Sequence, residues 1–110
     1  MSYVPDAGDI VWIDFNPQIR REQAGHRAAL VLSSIVYNRP ARLMLACPCT
    51  TRIKRYPYEV AIAGDPPSVA LIDQVRSLDW GLRPFRFKAR ASEAEMQNAK
   101  EKFATLIGLA

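Results

Sequence analysis

Residues 27–33 read Arg-Ala-Ala-Leu-Val-Leu-Ser, and residues 42–50 read Arg-Leu-Met-Leu-Ala-Cys-Pro-Cys-Thr. Both runs are almost continuously apolar, the pattern of strands covered on both faces or forming the wall of a barrel. Outward from them, residues 9–15 (Asp-Ile-Val-Trp-Ile-Asp-Phe) are rich in β-formers, with Ile10, Trp12 and Asp14 sharing a face. Residues 58–63 alternate around Glu59, and residues 69–78 extend as a further strand interrupted by Asp73 and Gln74. Residues 16–25 form a polar loop, residues 34–40 a turn or short helical connector, and Gly64-Asp-Pro-Pro-Ser68 a turn.

The period changes at the C-terminal end. Ser92 and Glu95 make a capping-box pattern, and Met96, Ala99, Phe103 and Leu106 then recur at spacings of three and four. This stripe predicts an amphipathic helix packed on the sheet, closed near Gly108. The expected fold is therefore mainly β with α: a small, strongly curved barrel with a C-terminal helix, in one domain spanning residues 1–110.

Composition narrows the function. The chain has 110 residues, 49% hydrophobic and 24% charged, an ordinary globular balance. Its apolar runs fall far short of a membrane span, and its start lacks the pattern of a secretory signal, so a soluble cytoplasmic protein is expected. Cys47 and Cys49 are strand neighbours, which make poor disulfide partners, and His26 is the single histidine. The expectation is no metal, no cofactor and no disulfide. The net charge is +4, but its distribution says more. Residues 20–55 hold eight basic side chains and one acid, Glu22. A second cluster comprises Arg76, Arg83, Arg86, Lys88 and Arg90. Brought together, these would form a footprint for a polyanion.

Polar groups among apolar strands are the candidates for chemistry. Thr50 and Thr51 end a strand in which Pro48 implies an edge position or a bulge. Asp73 would be a buried carboxylate, costly unless paired. Glu22-Gln23-Ala-Gly25-His26-Arg27 puts an acid, an amide, an imidazole and a guanidinium within six residues. RNA can be cut by its own 2′-hydroxyl, if a protein removes that proton, stabilises charge on phosphorus and protonates the leaving 5′-oxygen. These side chains can divide those tasks without a metal.

The order and content of Gly8-Asp-Ile-Val-Trp12, Glu22-Gln-Ala-Gly-His-Arg27, Leu30-Val-Leu-Ser33, Tyr37-Asn38, Cys47-Pro-Cys-Thr-Thr51, Tyr56-Pro-Tyr-Glu-Val60 and Val69-Ala-Leu-Ile-Asp-Gln-Val75 resemble successive motifs of MazF/PemK toxins, nearest the MazF branch. The resemblance covers roughly residues 3–80. It implies an SH3-like barrel shared with CcdB-type toxins, a homodimer, sequence-selective cleavage of single-stranded RNA, and inhibition by an antitoxin with an acidic extended segment. By position it implies that Arg27 and Thr50 are the principal catalytic pair. Arginine is a reluctant base, so Glu22 is favoured to accept the 2′-hydroxyl proton, with His26 as competitor. Gln23 would read a base or hold the loop. Asn38, Lys54, Tyr56, Asp73, Gln74 and Arg83 would contact RNA: amides and carboxylates at base edges, cations at phosphates, Tyr56 by stacking. Ala28 stands where the family pattern leads one to expect proline. Leu71 stands where the Kid/PemK branch has arginine, so Asp73 does not inherit that branch's Arg–Asp chemistry. The alternative is a CcdB-like toxin that binds gyrase and cuts nothing. Trp80-Gly81 echoes its aromatic terminus, although here a helix follows.

Overall fold

A computed structural model describes residues 2–15 and 26–109, with the backbone alone at His26. Seven antiparallel strands follow the path β4–β5–β3–β2–β1–β7, with β6 set beside β3 off that path. They are β1 (Asp9–Asp14), β2 (His26–Val31), β3 (Leu43–Thr50), β4 (Glu59–Ile62), β5 (Ser68–Leu71), β6 (Arg76–Asp79) and β7 (Phe85–Arg90). Two helices complete the described chain, α1 (Ile35–Ala41) and α2 (Glu93–Leu106).

The apolar run in β3 has a plain cause. One of its edges is taken by β2, and the other is shared between two strands. Leu43–Ala46 pair with β6, whereas Cys49 and Thr50 pair with β5. Its side chains also feed two cores. Met44 and Ala46 join Val11, Ile13, Phe15 and Trp80 on one side, while Cys47 and Cys49 join Ile10, Leu30, Val60 and Ala99 on the other. Strict alternation along β1 and β2 divides the two sets.

Two strand readings require correction. Pro48 is neither at a sheet edge nor unpaired, since it lies opposite Ala29 in the middle of the sheet. It sits where β3 passes from β6 to β5, and at that gap the chain between those strands coils into a 3-10 turn, Ile72–Gln74. A missing N–H is tolerated where the neighbouring ladder is already broken. Residues 69–78 are accordingly two strands separated by that turn, and Asp73 is exposed on it rather than buried.

The helices follow their caps. Ser34 accepts from the Val36 N–H to start α1. Ser92 and Glu95 form the reciprocal capping box of α2, and Gly108 beyond its end has φ +82°. Met96, Ala99 and Phe103 pack on the core beneath, while Leu106 is 38% exposed and leaves the expected stripe. The second oxygen of Glu95 accepts from the Ala63 N–H at 2.7 Å, tying the helix to the turn between β4 and β5.

Candidate functional site

The end of β3 separates two clefts, each of about 680 Å³, and Thr50 lines both. The first is floored by Ile10, Ala28, Cys49 and Ala89 and walled by Trp12, Arg27, Thr51 and Lys88. The second gathers Lys54, Tyr56, Asp73 and Gln74 around Leu71. Beside its apolar floor the first cleft carries charged side chains of both signs, Arg27, Lys88 and Arg90 with Asp65 and Glu95, a setting for a ligand with both a flat apolar face and polar groups.

Arg27 reaches this place because β2 is held on both sides. Its backbone lies opposite Ile13 of β1, and the β2–β3 register sets Ala29 opposite Pro48. That pairing ends at Ala29, and Arg27, two residues before it, and Thr50, two residues after Pro48, both line the first cleft. The Thr50 hydroxyl accepts from the Arg52 N–H at 3.2 Å, which leaves its own hydrogen to donate outward. A guanidinium and a hydroxyl donor facing one cleft are suited to an oxyanion such as a phosphate.

The segment 51–57 is exposed and carries Arg52, Lys54, Arg55 and Tyr56. One buried carboxylate organises it. Glu59 is 8% exposed, and it accepts from the N–H groups of Lys54 at 3.1 Å and Arg55 at 3.0 Å. The Tyr56 hydroxyl donates to Asp73 at 2.9 Å; this bond and the nearby carboxylate charge raise the phenol above its ordinary value. Tyr56 and Tyr58 rings lie 6.1 Å apart, so the second cleft combines cations with aromatic surface.

The structure thus groups Arg27, Thr50, Lys54, Tyr56, Asp73 and Gln74 about one strand end. Two expected RNA contacts lie elsewhere. Asn38 is fully buried, and its amide donates to the carbonyls of Pro5 at 2.9 Å and Ser33 at 3.0 Å and accepts from the Ser33 hydroxyl. It fastens the N-terminal segment to α1 and has no surface to offer RNA. Arg83 lines neither cleft. It donates to the Asp14 carbonyl at 2.8 Å, while Arg76 donates to that of Phe15 at 3.1 Å, and together they secure the end of β1. Glu22, Gln23 and the His26 side chain lie outside the described residues.

The sequence alone singles out neither Trp12 nor Glu59 as a functional residue, and it places Lys88 in a basic cluster without a position at the cleft. Lys88 counted only as a charge, and Glu59 only as a break in an apolar alternation. Burial raises both Cys47 and Cys49, the latter to about 12, so neither is poised as a nucleophile. Among the described residues, no cluster of three or more His, Cys, Asp or Glu is placed to hold a metal.

The fold is a small, mainly antiparallel β domain with a C-terminal helix and two clefts at one strand end. Residues 6–107 match the family of PemK-like, MazF-like toxins of type II toxin–antitoxin systems, and the chain belongs to that family. It is 47% identical over 107 residues to the endoribonuclease toxin MazF of Escherichia coli K12, covering 96% of each chain. The crystal structure of MazF from Deinococcus radiodurans superposes with a TM-score of 0.91 at 44% identity, covering 97% of this chain and 99% of that one. A MazE–MazF crystal structure from the same organism gives a TM-score of 0.86 at 43% identity, covering 99% and 100%.

Proposed function

We propose that this protein is the toxin of a type II toxin–antitoxin pair and acts as an endoribonuclease on single-stranded RNA. The observation that carries the reading is the meeting of Arg27 and Thr50 in one cleft that runs, across Thr50, into a second lined by Lys54 and Tyr56. The similarity to endoribonuclease relatives along nearly the whole chain supports it.

In the proposed reaction the 2′-oxygen bonds to phosphorus and the P–O5′ bond breaks. Arg27 and Thr50 hydrogen-bond the non-bridging oxygens as charge develops there. Glu22 takes the 2′-hydroxyl proton, with His26 the competing base, and the departing 5′-oxygen takes up a proton from solvent water. The products are a 2′,3′-cyclic phosphate and a 5′-hydroxyl, and the substrate itself supplies the nucleophile. Lys54 holds a flanking phosphate, Tyr56 stacks on a base, and Asp73, Gln74 and Gln23 read base edges. Destroyed messages would halt translation in the cytoplasm. Solved relatives of this chain were crystallised as MazE–MazF complexes, which supports an antitoxin whose acidic extended segment covers the basic clefts. Homodimerisation is part of the same reading.

The gyrase-binding alternative is less compatible with the geometry. Trp80 is 5% exposed, and its indole N–H donates to the carbonyls of Asn38 and Leu43, both at 3.2 Å. A tryptophan so committed is poorly suited to dock on another protein.

The test is incubation with long single-stranded RNA in excess EDTA, followed by mapping of fragment ends. Discrete cuts with cyclic-phosphate and 5′-hydroxyl ends, lost in Arg27→Ala, are expected. Intact RNA from a protein that still arrests growth would transfer the case to gyrase binding.

A further inference from the structure

The pairing of β1 with β7 contains one irregularity. Ile13, Trp12 and Val11 face Phe85, Arg86 and Phe87 in turn, but the next partners are Ile10 and Ala89. Lys88 is the extra residue, opposite no residue of β1. An inserted residue of this kind bends its strand and turns its side chain out of the regular alternation. Here it brings Lys88 to the wall of the first cleft, which Arg27 and Thr50 also line. The ammonium lies 5.3 Å from the centre of the Trp12 ring, and the Arg86 guanidinium lies 5.8 Å from it.

A lysine on an outer strand often serves only to discourage pairing with a stray edge, and β7 is such a strand. That duty needs no bulge and no seat in a cleft. We propose that Lys88, delivered by the β7 bulge, binds a backbone phosphate of the RNA on the side of the scissile bond away from the Lys54–Tyr56 cleft. The proposal rests on the ribonuclease reading. Thr50 stands between the two clefts, so a strand whose reacting phosphate lies at Arg27 and Thr50 meets Lys54 in one direction and Lys88 in the other. The apolar floor beneath Lys88, made by Ile10, Ala28 and Ala89, then accepts the accompanying base.

Salt dependence of binding separates a phosphate contact from a structural role. Fluorescence anisotropy would follow binding of a labelled single-stranded RNA, 2′-O-methylated throughout and therefore uncleavable, from about 50 to about 200 mM salt. Wild type should show a steep fall in affinity. Lys88→Gln should bind about fivefold more weakly at the low-salt end and flatten the slope of log affinity against log salt by about 0.7, one phosphate contact on a single strand. Lys88→Arg should restore the slope, and Lys100→Gln, on the exposed face of α2, should leave it unchanged. An unaltered slope in Lys88→Gln, or an equal flattening in Lys100→Gln, overturns the proposal while leaving the ribonuclease reading intact. Wild type that binds no RNA overturns both.

Discussion

Arg55 is held in the left-handed region, φ +59°, by its N–H bond to the Glu59 carboxylate at 3.0 Å. The other carboxylate oxygen of Glu59 takes the Lys54 N–H, so a single buried acid fixes two consecutive peptides beneath a basic surface segment. A non-glycine residue in that conformation carries strain that something must hold in place.

Glu59→Gln replaces one acceptor with a donor, which faces an N–H and repels it. Hydrogen bonds to a charged group contribute about 1.5–3 kcal/mol, so the segment should lose its single shape. The expectation is a KM raised about tenfold with kcat within about twofold, because Arg27 and Thr50 stand on other elements. In a Lys54→Ala background the same change should cost much less, since its effect passes through that lysine. Additive losses would show that Glu59 acts otherwise.

Arg27→Ala should lower cleavage by at least about 100-fold while leaving the melting temperature within a few degrees and antitoxin binding largely intact. Arg27→Lys should restore little, since an ammonium cannot present the guanidinium fork. Cleavage mapping, calorimetry and titration with the antitoxin check the three parts. Joint loss of cleavage and antitoxin binding in a folded variant would contradict the separation of roles.

Asn38→Ala should damage stability and not recognition. It leaves the carbonyls of Pro5 and Ser33 and the Ser33 hydroxyl without their partner in a fully buried place. The cost should be about 3 kcal/mol, a melting temperature lower by about 15 °C, with KM unchanged in the folded fraction. A raised KM at full stability would return Asn38 to the binding surface.

Alkaline stability should report the buried thiols. Both cysteines are raised by burial, Cys49 to about 12, against about 8.5 in an unfolded chain. The unfolded state therefore loses those protons first. Their contribution is complete below about pH 8.5 and is lost progressively as pH rises toward the folded values. Denaturant melts should show a steeper alkaline decline for wild type than for Cys47→Ala/Cys49→Ala between about pH 8.5 and 10. Parallel declines would mean that the thiols titrate alike folded and unfolded.

Local signals were legible in the sequence where their cause is local. The capping box of Ser92 and Glu95, the stripe of Met96, Ala99 and Phe103, and the turn conformation of Gly108 each depend on neighbours within a few residues. Pro48 was misread because its tolerance depends on a change of partner from β6 to β5, which nothing in its own strand records. Asn38 looked like a surface amide, yet its burial is set by Pro5, far away in sequence. The bulge at Lys88 belongs to the register between the first and last strands and is written in neither alone. Of the candidate residues, Arg27 on β2, Thr50 on β3, and Lys54 and Tyr56 in the segment after β3 line the two clefts, whereas the basic residues of β7 were legible in the sequence as charge alone.

The β7 wall of the first cleft is among the last parts of it to be synthesised. β1 and β7 are neighbours in space, although nearly the whole described chain separates them. A ribosome releases the N-terminal strands first, at about 5–20 residues per second. Arg27 and Thr50 have therefore left it before the strand bearing Lys88 exists. The first cleft is therefore closed on its β7 side only after the last strand of the sheet has been made.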